Sequence, residues 1–205
     1  PERVSRARPF SDARTTFREG GFDLPLRPHE RVRLVRAFNV LRQYDEHEVA
    51  PIWSQLAGQL LPGGLLVDGT SCPYGRTWNA CLVRRPVDLV DDAWHLEALV
   101  LGANLRTGFD PDTAQTRLPK RYIHRMRPGE AVHGFFTAWK RAVRDTRGLA
   151  IWGERQWFAG AARALAAAGH DVVLRPRWLK QGWLVWRFPE GRPGQVPARC
   201  DRSAS

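Results

Sequence analysis

The chain has 205 residues, 43% hydrophobic and 26% charged, enough apolar material for one domain with a real core and too much for wholesale disorder. The formal net charge is +11, yet lysine occurs only at 120, 140 and 180, so 29 of the 32 basic residues are Arg. That skew, with abundant Ala, Gly and Pro, is what a GC-rich genome produces, and the Arg residues are scattered rather than gathered in one run, which weakens the step from charge to nucleic acid.

The cysteines (Cys72, Cys81, Cys200) are odd in number and lack C-x-x-C spacing, so neither a disulfide framework nor a zinc site is expected, and no metal is assigned. No apolar run approaches the roughly 18 residues of a membrane helix, and there is no signal-peptide pattern. The expected setting is cytoplasmic, with no membrane partner. Pro1 is not an initiator Met, and the polar, Arg-rich start lacks the apolar strand on which an α/β domain normally opens, so the chain reads as incomplete at its N-terminus.

In chain order, residues 1–14 read as a short helix or irregular arm, and 15–18 as a brief extended segment before the Gly20-Gly21 turn. Residues 33–41 are apolar and β-branched at their centre, the best buried strand of the first half. Asp45 and Glu48 stand at capping-box spacing before Val49, Ile52, Trp53, Leu56 and Leu60, one helical face, although Pro51 moves the expected start towards Val49. Leu61-Pro62-Gly63-Gly64 is read as the helix stop and 65–69 as a second buried strand. Strand, helix, Gly turn and strand make a βαβ crossover, hence a parallel sheet.

Further on, 77–85 alternates Trp78, Ala80, Leu82 against Thr77, Asn79, Cys81 as a strand, whereas 94–105 is strand or helix. Residues 106–130 are loop-rich. Helices are expected over 131–144 and 153–168, then two strands at 171–174 and 183–188. The Pro- and Gly-rich 189–205 reads as a disordered tail.

The order of these pieces resembles the class I, Rossmann-like S-adenosylmethionine-dependent methyltransferases. Residues 60–66 (LLPGGLL) are similar to the L-x-P-G-G-x-L turn before that family's fifth strand, 17–26 (FREGGFDLPL) to its third strand and acidic loop, and 153–188 to its closing helix and hairpin. The resemblance covers roughly 15–75 and 150–188. It implies a partial α/β domain over 1–188 with a mostly parallel sheet and a C-terminal antiparallel hairpin strand; it does not assign the region between, where 92–150 is a candidate inserted cap. The implied activity is methyl transfer from S-adenosylmethionine. The G-x-G-x-G turn for the cofactor is absent from the sequence, and the family's acid for the ribose would fall just before Pro1, so a truncated enzyme and a non-catalytic remnant both stand beside a basic nucleic-acid-binding module.

Carried over by position, the resemblance puts Phe22 and Asp23 near the adenine and Arg36, Ala37, Phe38 and Asn39 near the methionine part. Asp23 reads equally as a solvated loop acid. Arg36, inside a strand taken as buried, needs an anion, either the methionine carboxylate or an internal acid. Asn39 does not open an Asn-Pro-Pro-Tyr signature, and no catalytic residue is assigned, because in-line positioning can suffice for methyl transfer. Thr70, Ser71 and Tyr74 form a candidate substrate loop. Cys72 has no His–acid pair at a diagnostic spacing. His95, facing Glu97, and His124 and His133 read as surface or core residues, the late Trp cluster as packing, and Lys120, Arg121, Arg125 and Arg127, the densest basic group, as a solvated loop in preference to a phosphate or carboxylate site.

Overall fold

A helix and two strands set the frame. In the computed structural model, which describes residues 2–87 and 94–188, strand β1 (Val32–Phe38) leads into helix α2 (Glu46–Gly58) and strand β2 (Leu60–Ser71), and β1 and β2 pair in parallel. The short helix α1 (Glu2–Ala7) precedes them, and no strand forms at 15–18. Helix α2 starts at Glu46 rather than near Val49, because the capping box is complete: the Asp45 side chain accepts from the N3 backbone, and the Asp45 N–H donates to Glu48 Oε2 at 2.7 Å. Pro51 is carried inside the helix, and the carbonyl that loses its donor belongs to the exposed His47.

The Leu61–Gly64 turn is not the helix stop. The helix ends at Gly58, and the four residues form a bulge inside β2, where pairing jumps from Val32↔Leu60 to Leu34↔Leu65. Gly63 sits at φ 71°, and a Cβ on Gly64 would press on the Leu61 and Arg33 carbonyls. Arg84 and Arg85 hold the bulge: Arg84 donates to the Gly63 carbonyl at 2.9 Å, and Arg85 donates to the carbonyls of Gly58 and Leu60.

Strands β3 (Thr77–Arg84), β4 (His95–Ala103) and β5 (Trp183–Arg187) follow, and the sheet runs β1-β2-β3-β4-β5. Only β1–β2 is parallel; the other three pairings are antiparallel. The architecture is therefore α/β with a mixed sheet, and the expectation of a mostly parallel sheet is corrected. Residues 171–174 contribute only a bridge, Val172 to Trp186, instead of a full hairpin strand.

Helices α3 (Pro111–Gln115), α4 (Lys120–Ile123), α5 (Ala131–Asp145), α6 (Glu154–Ala167) and α7 (Pro176–Lys180) complete the described chain. The main core lies between α2, α5 and α6 and the sheet face carrying Leu66, Cys81, Val83, Leu99, Leu101, Leu184 and Trp186. The opposite face buries a smaller group, Ala98, Val100 and Val185, under Trp78, Leu82, Val173 and Trp178. There Phe38 and Trp78 lean over Gly69 and Gly102, and Trp78 meets Trp183, so rings from β1, β3 and β5 bridge the intervening strands with centroids 6.1 and 5.8 Å apart. The late Trp cluster divides: Trp139 and Trp186 are core, whereas Trp152 is exposed. The expected tail 189–205, with Cys200, lies outside the described residues.

Candidate functional site

Strands β1, β2 and β4 run in one direction, and their carboxyl ends share one edge of the sheet with the start of β3. Along the core face of the β2–β3 pair towards that edge, the facing residues change from Leu66 and Val83 to Asp68 and Cys81, then to Thr70 and Asn79. A core that turns polar in one direction needs partners there, since unpaired buried polar groups cost stability.

Asn39 fixes the corner. It stands at φ 59°, a conformation that Asn tolerates better than most residues, and its N–H donates to the Gly69 carbonyl at 2.8 Å. Its side chain clamps Ser71: Oδ1 accepts from the Ser71 N–H at 2.9 Å and Nδ2 donates to the Ser71 Oγ at 3.1 Å. Gln43 donates to the Asn39 carbonyl at 3.2 Å. The 114–117 turn closes over the same edge. Asn79, fully buried, donates through Nδ2 to the Ala114 carbonyl at 2.6 Å, and Arg42 reaches the Thr116 carbonyl from the other side.

Next to this corner, the Thr77, Tyr74 and Arg76 N–H groups and the Arg117 charge draw the Cys72 thiol below its ordinary value. Deeper in, burial pushes the Asp68 carboxyl up to about 7, only partly offset by the Trp53 N–H that donates to it at 3.2 Å. Burial, reinforced by Asp68, pushes the Cys81 thiol well up, and burial does the same to the Tyr122 hydroxyl. Cys81 is thus an inert core thiol.

Of the residues singled out from sequence, the structure brings Asn39 and Ser71 together and places Thr70 beside them, within β2 and buried instead of in a loop. Tyr74 is 82% exposed at the tip of the β2–β3 hairpin. Ala37 is in the core, so only its backbone can meet a ligand. Phe38 covers Gly69 on the helix-free face. Arg36 is exposed, because β1 is an edge strand, and it stacks on the Phe38 ring at 3.8 Å; the premise that it is buried and needs an acid is corrected.

Phe22 and Asp23 are held by α2 and not by Asn39 or Ser71. Gln55 donates to Asp23 Oδ1 at 2.7 Å and Gln59 to the Phe22 carbonyl at 2.6 Å. Gln55 lies ten positions beyond Asp45, about 15 Å along α2 at 1.5 Å per residue. The Phe22 ring packs against Tyr44, with centroids 5.2 Å apart. The basic loop is internally paired: Arg125 with Glu46 and Glu130, Arg127 with Glu130, and Arg121 against the Trp53 and Trp94 rings. His95 meets Glu97 at 3.6 Å.

Asn79 and Arg117 are the residues that sequence reasoning passed over. The signal for Asn79 was its place in line with Cys81, opposite Thr70 on the inward face. Among the described residues, no group of three or more His, Cys, Asp or Glu is placed to hold a metal ion, and no helix is long and apolar enough to cross a membrane. No family model, no curated protein and no solved structure matches this chain.

Proposed function

We propose that this chain supplies the carboxyl-edge part of an S-adenosylmethionine-dependent methyltransferase site. The observation that carries the reading is the parallel β1–α2–β2 unit, whose outgoing edge is polar and rigidly held by Asn39 and Ser71. In open α/β sheets, ligands sit outside the carboxyl ends of parallel strands. The free edge of β1, hydrogen-bonded only to β2 among the described residues, is where further parallel strands of such a sheet would join. In this reading, Asn39 and Ser71 position the methionine end of the cofactor, Thr70 and Tyr74 lie towards the methyl acceptor, and Arg36 offers a free guanidinium to an acidic group. No side chain need move a proton, since in-line placement of acceptor and methyl carries the step. Isothermal titration with S-adenosylmethionine tests it. Binding that weakens in Asn39→Gly, which keeps the positive φ and deletes the clamp, is expected; binding that Asn39→Gly leaves unchanged removes the reading.

A second reading has its own observation. The Phe38–Trp78–Trp183 strip, with Arg36 over its first ring, combines aromatic faces with a guanidinium on the helix-free side of a chain of net charge +11. Single-stranded nucleic acid binds by such stacking and phosphate attraction. Quenching of tryptophan fluorescence by oligonucleotide, falling steeply with salt and lost in Trp183→Ala, would favour it; salt-independent or absent binding would exclude it.

A further inference from the structure

Two buried polar atoms at the carboxyl edge have no partner among the described residues: Asn79 Oδ1, an acceptor, and Arg117 Nε, a donor. Both residues meet at the 114–117 turn, where the Ala114 carbonyl accepts from Asn79 Nδ2 at 2.6 Å and from the Arg117 backbone N–H at 3.0 Å. The first of these bonds also fixes the amide orientation, leaving Oδ1 as the atom without a donor. Native structures rarely leave such groups unmatched, and an open buried acceptor and an open buried donor at one turn each call for a complementary group on a ligand. The charge is unmatched too. Neither Arg117 nor Arg42 takes part in an ion pair among the described residues, although both reach the 114–117 turn.

We propose that the place where the 114–117 turn meets the β2–β3 edge binds a small molecule that presents an oxyanion beside a hydroxyl or amine. The oxyanion is held by Arg117 and Arg42, and the neighbouring O–H or N–H donates to Asn79 Oδ1. Hydroxy acids and amino acids carry this pair of groups, and so does hydrogen phosphate; a simple carboxylate carries only half of it. The proposal rests on the carboxyl edge being the ligand edge, as the methyltransferase reading has it. Its test uses no S-adenosylmethionine, so either can fail alone.

The Cys72 thiol, which feels the Arg117 charge, reports locally. In a Cys200→Ser background the buried Cys81 is silent, and the rate of Cys72 alkylation by iodoacetamide is followed against glycolate, acetate and phosphate at ionic strength matched with chloride. Glycolate should slow alkylation with an affinity about fivefold better than acetate, the effect of one added hydrogen bond. Relative protection by glycolate and phosphate then distinguishes the carboxylate from the phosphate source. Arg117→Gln and the exposed Arg42→Gln should each weaken protection about tenfold or more, as loss of a charge-assisted bond does. Arg117→Lys, which keeps the charge but lacks Nε–H, should leave the ligand-free alkylation rate near wild type and weaken protection less than Arg117→Gln does. Arg163→Gln, on the exposed side of α6, should behave as wild type. Equal protection by glycolate and acetate overturns the donor part. No protection by any of the three, or protection unchanged in Arg117→Gln, overturns the whole.

Discussion

Asp68→Asn should abolish a fall in stability that the wild-type chain shows as pH rises through neutrality. Asp68 is 2% exposed in the apolar layer between α2 and the sheet, and among the described residues the only side-chain bond made to it comes from Trp53 Nε1. Burial raises its carboxyl from the ordinary 3.8 to about 7. Below pH 3.8 the folded and unfolded chains both hold the proton. Between 3.8 and about 7 only the folded chain does, so stability falls as pH rises, and above 7 it levels off. A gap of about three pH units at about 1.4 kcal/mol each is about 4 kcal/mol in all, of which about 3 kcal/mol falls between pH 5 and 8. Asn mimics the protonated acid. It can still accept from Trp53, but its unmatched amide N–H costs roughly 1–3 kcal/mol at every pH. The readout is therefore the slope, not the offset. Urea denaturation followed by tryptophan fluorescence at pH 5, 6, 7 and 8 should give a declining series for wild type and a flatter one for the variant. The carboxylates lowered by their partners, Glu30, Glu97 and Asp110, act with the opposite sign at lower pH and are common to both proteins. Parallel slopes in the two proteins would refute the assignment of the proton to Asp68.

Three further substitutions test the packing. Asp45→Ala removes one arm of the α2 capping box and should cost about 1 kcal/mol in the same denaturation assay. Gly102→Ala drives a methyl into the Trp78 indole and should cost roughly 1–3 kcal/mol, with a shift in tryptophan emission as the Phe38–Trp78–Trp183 strip is displaced. Gly134→Ala has the opposite sign: the site is an exposed position of α5 with nothing within 4 Å of the new methyl, so thermal melting should show a gain of about 0.5–1 kcal/mol.

How far the chain could be read in advance follows from which interactions are local. The β1–α2–β2 unit was legible because a capping box, a 3.6-residue apolar period and two apolar runs are all encoded within 40 positions. The Leu61–Gly64 bulge was not, since it depends on Arg84 and Arg85, more than twenty residues away, donating to its carbonyls. The sheet directions were available but unused. Five residues, 72–76, separate β2 from β3, and ten, 85–94, separate β3 from β4. A parallel return needs a crossover of about a dozen or more residues, so both connections had to be antiparallel. Residues 171–174 carried a strand-like pattern, yet only Val172 found a bridge, because no alternation rule states how much of an edge will be offered.

The site was half legible for a reason tied to faces. Alternation in β3 separated Trp78, Ala80 and Leu82 from Thr77, Asn79 and Cys81 without saying which set the helices cover, and the general rule that the more apolar set faces the main core would invert the strand. The helices cover the side with Asn79 and Cys81, while Trp78 and Leu82 pack on the helix-free side. Once that inversion is made, Asp68, Thr70, Cys81 and Asn79 are adjacent on one inward surface, and Asn39 and Ser71 close its end. Among the described residues, Asn79 Oδ1 on that surface and Nε of Arg117, in the turn bonded to Asn79, stay unpaired. An edge that spends core volume on polar side chains and leaves a donor and an acceptor open is costly unless a ligand returns the bonds, which is why the chemistry of this protein is sought there and not among its many surface arginines.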